Sequence, residues 1–318
     1  MHQSRSPAVK TALRRFRCLP VKICLILVIT LSYVALQFYS GHWGASRPVT
    51  AYSSREDELR QYQMKEVDLD FIRRAGLVDH KIADLSDSEI DGMNQTELMV
   101  TVHSYLDNCD TLCKRRLRMG LIGEGGWEVC DDEGVRPRSH RCLVYSFGNE
   151  RVFSFEDDVA RVYRCEVHTF KASTERAEYN RSSLIHVHPY GVGRVTEITP
   201  LGTELHTFAD IRSILNHAGI AIDLVKMDIE NGEWSVLSGM LLDKQLHNIR
   251  QLLVEFHVGF PPNLDRLRRI VRVMRSLSRI GFRKFYVHKN PRGSYHHPHF
   301  PILRSRNYEI HFLNSKYL

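Results

Sequence analysis

Four side chains in two short runs carry the clearest chemical signal in this sequence. Asp228 and Glu230 lie in A-I-D-L-V-K-M-D-I-E-N-G-E-W (Ala221 to Trp234), and Glu255 and His257 close L-L-V-E-F-H (Leu252 to His257). Residues two apart on a strand point to the same face, so each pair projects together. In an open α/β sheet the carboxyl ends of the strands border the ligand crevice. Carboxylates and an imidazole placed there can accept hydrogen bonds from ribose hydroxyls, hold a divalent cation or take a proton from a nucleophile. His257 or Asp228 is the candidate general base, and base action without a metal is preferred to a metal held by the same four groups. Two plainer roles stand beside these. Glu255 and His257 could be a satisfied polar pair, and Asp228 and Glu230 could cap the helix that starts near Gly232.

The surrounding pattern supplies the scaffold. Cys142 to Gly148, Glu166 to Phe170, Leu184 to His188 and Leu252 to His257 are short apolar or β-rich runs like the one ending at Asp228. Helical patterns over Phe155 to Val162, Thr207 to Ala218, Glu233 to Leu242 and Leu264 to Ile280 separate several of them. Strands alternating with helices require crossover connections and a mostly parallel sheet. Phe282 to His288 and Tyr308 to Leu313 are late strands expected to close one edge as an antiparallel pair.

The chain has 318 residues, 43% hydrophobic and 25% charged, values that fit one catalytic-sized domain with additions. The additions are N-terminal. Ile23 to Trp43 carries no charge, and at about 1.5 Å per residue it can cross a hydrocarbon core of about 30 Å. Lys10, Arg14, Arg15, Arg17 and Lys22 precede it, and Glu56, Asp57 and Glu58 lie beyond. This asymmetry predicts a single-pass type II signal anchor with residues 1–22 as cytosolic tail and the rest luminal. A cleaved signal peptide is the alternative, with Gly44, Ala45 and Ser46 as small residues near the cleavage position. Residues 44–100 read as a stem and 101–318 as the domain, in the Golgi or endoplasmic reticulum.

A luminal chain meets glycosylation and oxidation. Asn94-Gln95-Thr96 and Asn180-Arg181-Ser182 are sequons, and Cys109, Cys113, Cys130, Cys142 and Cys165 follow the anchor. Five is odd, which leaves one thiol over. A Cys130–Cys142 disulfide is expected, with zinc on Cys109, Cys113 and Cys130 as a lesser alternative.

Seven blocks in order resemble the methyltransferase-like protein 24 family. They are W-E-V-C from Trp127, C-L-V-Y-S-F-G from Cys142, F-S-F-E from Phe153, C-E-V-H-T-F from Cys165, K-M-D-I-E from Lys226, G-E-W from Gly232 and L-L-V-E-F-H from Leu252. The resemblance covers roughly Val102 to Leu313 and implies a Rossmann-like methyltransferase fold with a mostly parallel seven-stranded sheet, and S-adenosylmethionine as methyl donor. It places Ser146, Phe147 and Gly148 at the cofactor turn after the first strand and Lys171 where the family carries an acidic residue for the ribose hydroxyls. Lysine has donors only and cannot accept those bonds, so Glu166 or another carboxylate is expected to substitute, or the ligand carries an anionic group. Asn231 replaces a family glycine; Asn tolerates positive φ, with Gly232 beside it as relief.

The formal charge is +7, and from Arg266 to Arg292 ten Lys and Arg occur with no acid among them. The helix there has an apolar stripe and an arginine-rich face, read as solvated or as a surface for an acidic luminal glycan or anionic headgroups; a luminal domain excludes nucleic acid as partner. Trp127 and Trp234 are expected in the core, with stacking on a ring ligand as the alternative. His288, His296, His297 and His299 form a histidine-rich loop that could serve as a lid. The function expected from all this is S-adenosylmethionine-dependent methylation of an oxygen in the secretory lumen. Two other classes stay open: a degenerate noncatalytic binding module on the same fold, motivated by Lys171, and a luminal glycosyltransferase, because Asp228-Ile229-Glu230 imitates a D-x-D motif.

Overall fold

The computed structural model describes residues 82–122, 125–148, 152–172, 177–259, 263–296 and 303–318. The expected anchor, the cytosolic tail, most of the stem, and His297 and His299 lie outside the described residues. Among the described residues no helix is long and apolar enough to cross a membrane.

Helices α1 (Asp87–Gly92) and α2 (Gln95–Asp107) come first, each opened by a capping box, Ser86 with Glu89 and Asn94 with Glu97. The reciprocal bonds satisfy amide donors that a helix start otherwise leaves unpaired. Strands β1 (Arg116–Met119) and β2 (Trp127–Cys130) form an antiparallel hairpin. Then follow β3 (Leu143–Gly148), α3 (Ser154–Tyr163), β4 (Glu166–Phe170), β5 (Tyr179–Asn180), β6 (Ile185–His188), α4 (Phe208–Ile214) and β7 (Ile222–Asp228). The chain ends with α5 (Glu233–Leu242), β8 (Ile249–His257), α6 (Leu264–Arg279), β9 (Phe282–Lys289) and β10 (Asn307–Asn314). Residues 191–206 add a small three-stranded sheet.

The main sheet has eight strands in the order β9-β10-β8-β7-β3-β4-β6-β5. Strands β8, β7, β3, β4 and β6 are parallel, whereas β10 is antiparallel to both β8 and β9, and β5 to β6. The seven-stranded expectation is thus corrected by the two-residue β5, too short to stand out as a period-2 run. The late pair is antiparallel as expected, with β10 inserted between β8 and β9. The strand order reverses between β7 and β3, and this leaves a crevice at their carboxyl ends, because the connections leave in opposite directions.

Alternate residues of the central strands feed two cores. Val225, Met227, Leu252 and Val254 join the core containing α2, α5 and α6, while Leu224 and Leu253 join the core beneath α3 and the hairpin. Burial on both faces is why these strands read as continuous apolar runs.

The arginine-rich face of α6 is internally engaged. Asn263 caps the helix, and its Leu267, Ile270, Val271, Met274 and Leu277 are buried. On the flank, Arg272 pairs with Asp87 and Asp91, Arg275 with Asp87, and Arg275 and Arg279 donate to the Leu85 carbonyl. This face therefore holds the segment around α1. The expected stem boundary at residue 100 falls inside α2, whose Leu98, Met99 and Val100 are buried in the core.

Two disulfides replace the expected Cys130–Cys142 link. Cys113–Cys130 clasps the hairpin, and Cys142–Cys165 ties the starts of β3 and β4. The reason for the second is register: Leu143 opposes Glu166, so the residues just before them are neighbours, with Cα atoms 4.7 Å apart. Cys109 is exposed and free, and the zinc alternative fails because Cys113 and Cys130 are bonded to each other.

Candidate functional site

Strand β7 ends in Asp228, and the chain turns sharply into α5. Glu230 and Asn231 both adopt positive φ, 53° and 76°, before Gly232 returns to a right-handed φ of −79°. Asn231 thus occupies the conformation for which the family's glycine is suited, while Gly232 is not the relief point. A non-glycine residue in this region costs energy, and such outliers concentrate at functional turns. Next door, a Cβ on Gly148 would lie 2.8 Å from the Asp228 carbonyl oxygen. Glycine is required there by the neighbouring strand itself.

At the end of β8, His257 is nearly buried and its Nδ1 lies 2.8 Å from Glu233 Oε1. Glu233 is fully buried in the first turn of α5, and the Asn231 amide also donates to its Oε1 at 3.1 Å. The Trp234 indole and Arg266 donate to the His257 carbonyl, and Arg266 donates also to the Asn231 side chain, so one guanidinium braces both strand ends. Burial alone would lower the His257 pKa. The hydrogen bond and charge of Glu233, with the charges of Asp228 and Glu255, outweigh it and leave His257 above the ordinary imidazole value. With Nδ1 held by a carboxylate, Nε2 is the nitrogen left for proton transfer, the arrangement a general base needs. Glu255 is held above the usual carboxylate range by burial, against an opposing hydrogen bond from Asn290.

All four sequence-predicted catalytic residues line one cavity of about 590 Å³, together with Trp127, His288, Asn290 and Glu309. One donor atom each from Asp228, Glu233 and His257 lie within 4.8 Å of one another, so this trio is also the group that could hold a cation. Glu233 is not singled out by the sequence. A glutamate in a first helical turn ordinarily serves the helix dipole in solvent, and only the G-E-W block hinted otherwise.

A second cleft of about 380 Å³ lies across the β7 turn, lined by Phe147, Gly148, Phe170, Arg194, Glu197 and Glu230 among others. Its wall includes Gly191, where a Cβ would meet the Ala172 Cβ at 2.8 Å and Leu205 Cδ2 at 2.9 Å. Of the four residues expected at the cofactor, Phe147 and Gly148 line this cleft. Ser146 is buried and donates to Glu156 Oε1 at 2.5 Å. Lys171 extends its ammonium over the Phe153 ring at 3.7 Å, a ring shared with Arg181 at 4.5 Å. Glu166 cannot stand in for the missing acid, because it opens β4 beside Leu143 while the cleft borders Phe170 at the strand's other end. Of the aromatics, Trp234 is buried and stacks on Phe256, and Trp127, also buried, stacks on His311 while bordering the larger cavity.

The smaller cleft fits S-adenosylmethionine in kind. Glu230 and Glu197 are acceptors for ribose hydroxyls and a cationic ligand, Arg194 suits a carboxylate, and Phe147 and Phe170 supply apolar surface.

Comparisons with known proteins agree with this architecture. A family model described as a methyltransferase domain matches residues 84–299. "Probable methyltransferase-like protein 24" of Rattus norvegicus is 27% identical over 207 residues, covering 59% of this chain and 56% of that protein. The Homo sapiens protein of the same description is 32% identical over 143 residues, covering 42% of this chain and 39% of its own length. The chain therefore matches about half or less of the length of these relatives. With the family model spanning most of the chain, from before α1 to beyond β9, the chain belongs to this methyltransferase-domain family, with methyltransferase-like protein 24 among its relatives.

Proposed function

We propose that the chain transfers a methyl group from S-adenosylmethionine to an oxygen nucleophile in the secretory lumen. The observation that carries this is the position of Glu230, which borders both the smaller cleft and the larger cavity. A two-substrate transfer needs two sites meeting at one point, with the reacting atoms held in line. The donor supplies an electrophilic methyl on a sulfonium when bound. Glu230 and Glu197 hold its hydroxyls and cationic groups, Arg194 its carboxylate. In the larger cavity His257 Nε2 takes the acceptor's proton, Glu233 holds the ring and balances the imidazolium that forms, and Asp228 and Glu255 orient the acceptor. A second reading, favoured by the proximity of Asp228, Glu233 and His257, has a divalent cation lowering the pKa of the acceptor hydroxyl there.

Luminal placement is supported by two disulfides and by exposed asparagines at both sequons. The type II anchor, on residues outside those described, belongs to the same proposal. The acceptor class is a hydroxyl-bearing luminal molecule such as a glycan. The test is transfer of labelled methyl from S-adenosylmethionine to glycan fractions by the full chain. Transfer that disappears in His257→Ala is expected; undiminished transfer in that variant contradicts the assigned base.

A further inference from the structure

A second carboxylate–imidazole cluster lies outside both clefts. Glu166 opens β4, and its Oε1 is 3.1 Å from His168 Nε2 and 3.9 Å from His186 Nε2. One donor atom each from Glu166, His168 and His217 lie within 4.8 Å of one another. His217 follows α4, while His168 and His186 oppose each other on β4 and β6, so the cluster is assembled from three separate stretches of chain.

The outer nitrogens are already held. His168 Nδ1 meets His188 Nε2 at 2.9 Å, His186 Nδ1 meets Asn180 Oδ1 at 2.7 Å, and His217 Nδ1 meets the Tyr145 hydroxyl at 2.8 Å. His188 Nδ1 in turn meets Glu178 at 2.8 Å, so the chain behind His168 ends in a carboxylate. Holding the second ring nitrogen in this manner fixes tautomer and direction, and it is what metal-ligating histidines require. Nε2 then remains as the inward donor. Tetrahedral zinc, with bonds of about 2.0–2.1 Å to N and O, keeps its ligands about 3.3 Å apart. The 3.1 Å between Glu166 and His168 is close to that spacing, and a donor atom of His217 lies within 4.8 Å of both.

We propose that Glu166, His168 and His217 bind zinc. The ion joins the connection between α4 and β7 to strand β4. Glu166 lies at the amino end of its strand, opposite the clefts, which makes this a structural site and not part of the transfer reaction. Imidazole and carboxylate together suit zinc better than calcium or magnesium, which prefer oxygen alone.

The test uses the purified full-length chain, stripped with chelator, reloaded with zinc alone, desalted and analysed for bound metal. The wild type should retain about one zinc per chain at this site, and chelation should lower its melting temperature. The Glu166→Gln/His217→Gln double variant should lose that zinc, whereas Asp228→Asn, altering the cluster at the larger cavity, should keep it. Neither substituted residue is buried, and the metal-free melting curve verifies that the double variant folds. Glu166→Gln alone changes one half-exposed carboxylate and should weaken zinc at least about tenfold. No zinc on the wild type, or undiminished zinc on the double variant, overturns the proposal and leaves a metal-free hydrogen-bonded cluster.

Discussion

Replacing Glu233 by Gln removes a charge from a fully buried site while nearly preserving shape. Glu233 Oε1 and His257 Nδ1 are 2.8 Å apart, so at an effective dielectric of about 20 their attraction reaches about 6 kcal/mol. Desolvation offsets most of that, and a hydrogen bond to a charged group retains about 1.5–3 kcal/mol net. The sign with pH follows from the raised His257 pKa. Protonation of His257 favours the fold; the contribution is full below the ordinary imidazole value of 6.5 and is lost as pH rises through the folded-state value. Glu233→Gln should therefore cost about 1.5–3 kcal/mol near pH 5 and less near pH 8, and it should lower the His257 pKa. Chemical denaturation across that range measures the first effect, and NMR titration of the labelled imidazole measures the second. A cost independent of pH, with His257 titrating as in wild type, would refute the coupling of these two groups.

Three further outcomes follow from the same geometry. Gly148→Ala places a methyl 2.8 Å from the Asp228 carbonyl and should destabilise the domain by about 1–3 kcal/mol, read from the denaturation midpoint; a neutral effect would show that β3 and β7 can separate freely. Cys142→Ser with Cys165→Ser opens a link between residues 23 apart and should cost about 3 kcal/mol by loop entropy, also read by denaturation. Lys171 lies over the Phe153 ring while Glu230 and Glu197 supply the acceptors in the smaller cleft, so Lys171→Asp should leave S-adenosylmethionine binding within about twofold of wild type by calorimetry; a change of about tenfold or more would mean that position 171 contacts the ligand itself.

The sequence made the strand ends legible because their signal is local. Asp228 closes an apolar run, Glu255 and His257 alternate on one face, and all line the cavity with Glu230. What it did not show depends on distant segments meeting. Glu233 looks like an ordinary first-turn glutamate until β8 brings His257 against it from 24 residues away. The arginines of α6 have the period of a solvated face, and their partners Leu85, Asp87 and Asp91 lie more than 170 residues earlier, in a stretch too polar to announce itself as core. Disulfide pairing likewise follows strand register, which composition does not encode. Family position puts Ser146 and Lys171 at the cofactor, whereas their own neighbours, Glu156 and Phe153, decide their contacts.

The most direct test is calorimetric titration of the full-length protein with S-adenosylmethionine and, separately, with its demethylated product. Saturable binding of both at one site, weakened when Glu230 is changed to Gln, is the expected result. Absence of binding by protein with a cooperative melting transition would contradict it and leave the fold as a noncatalytic binding module.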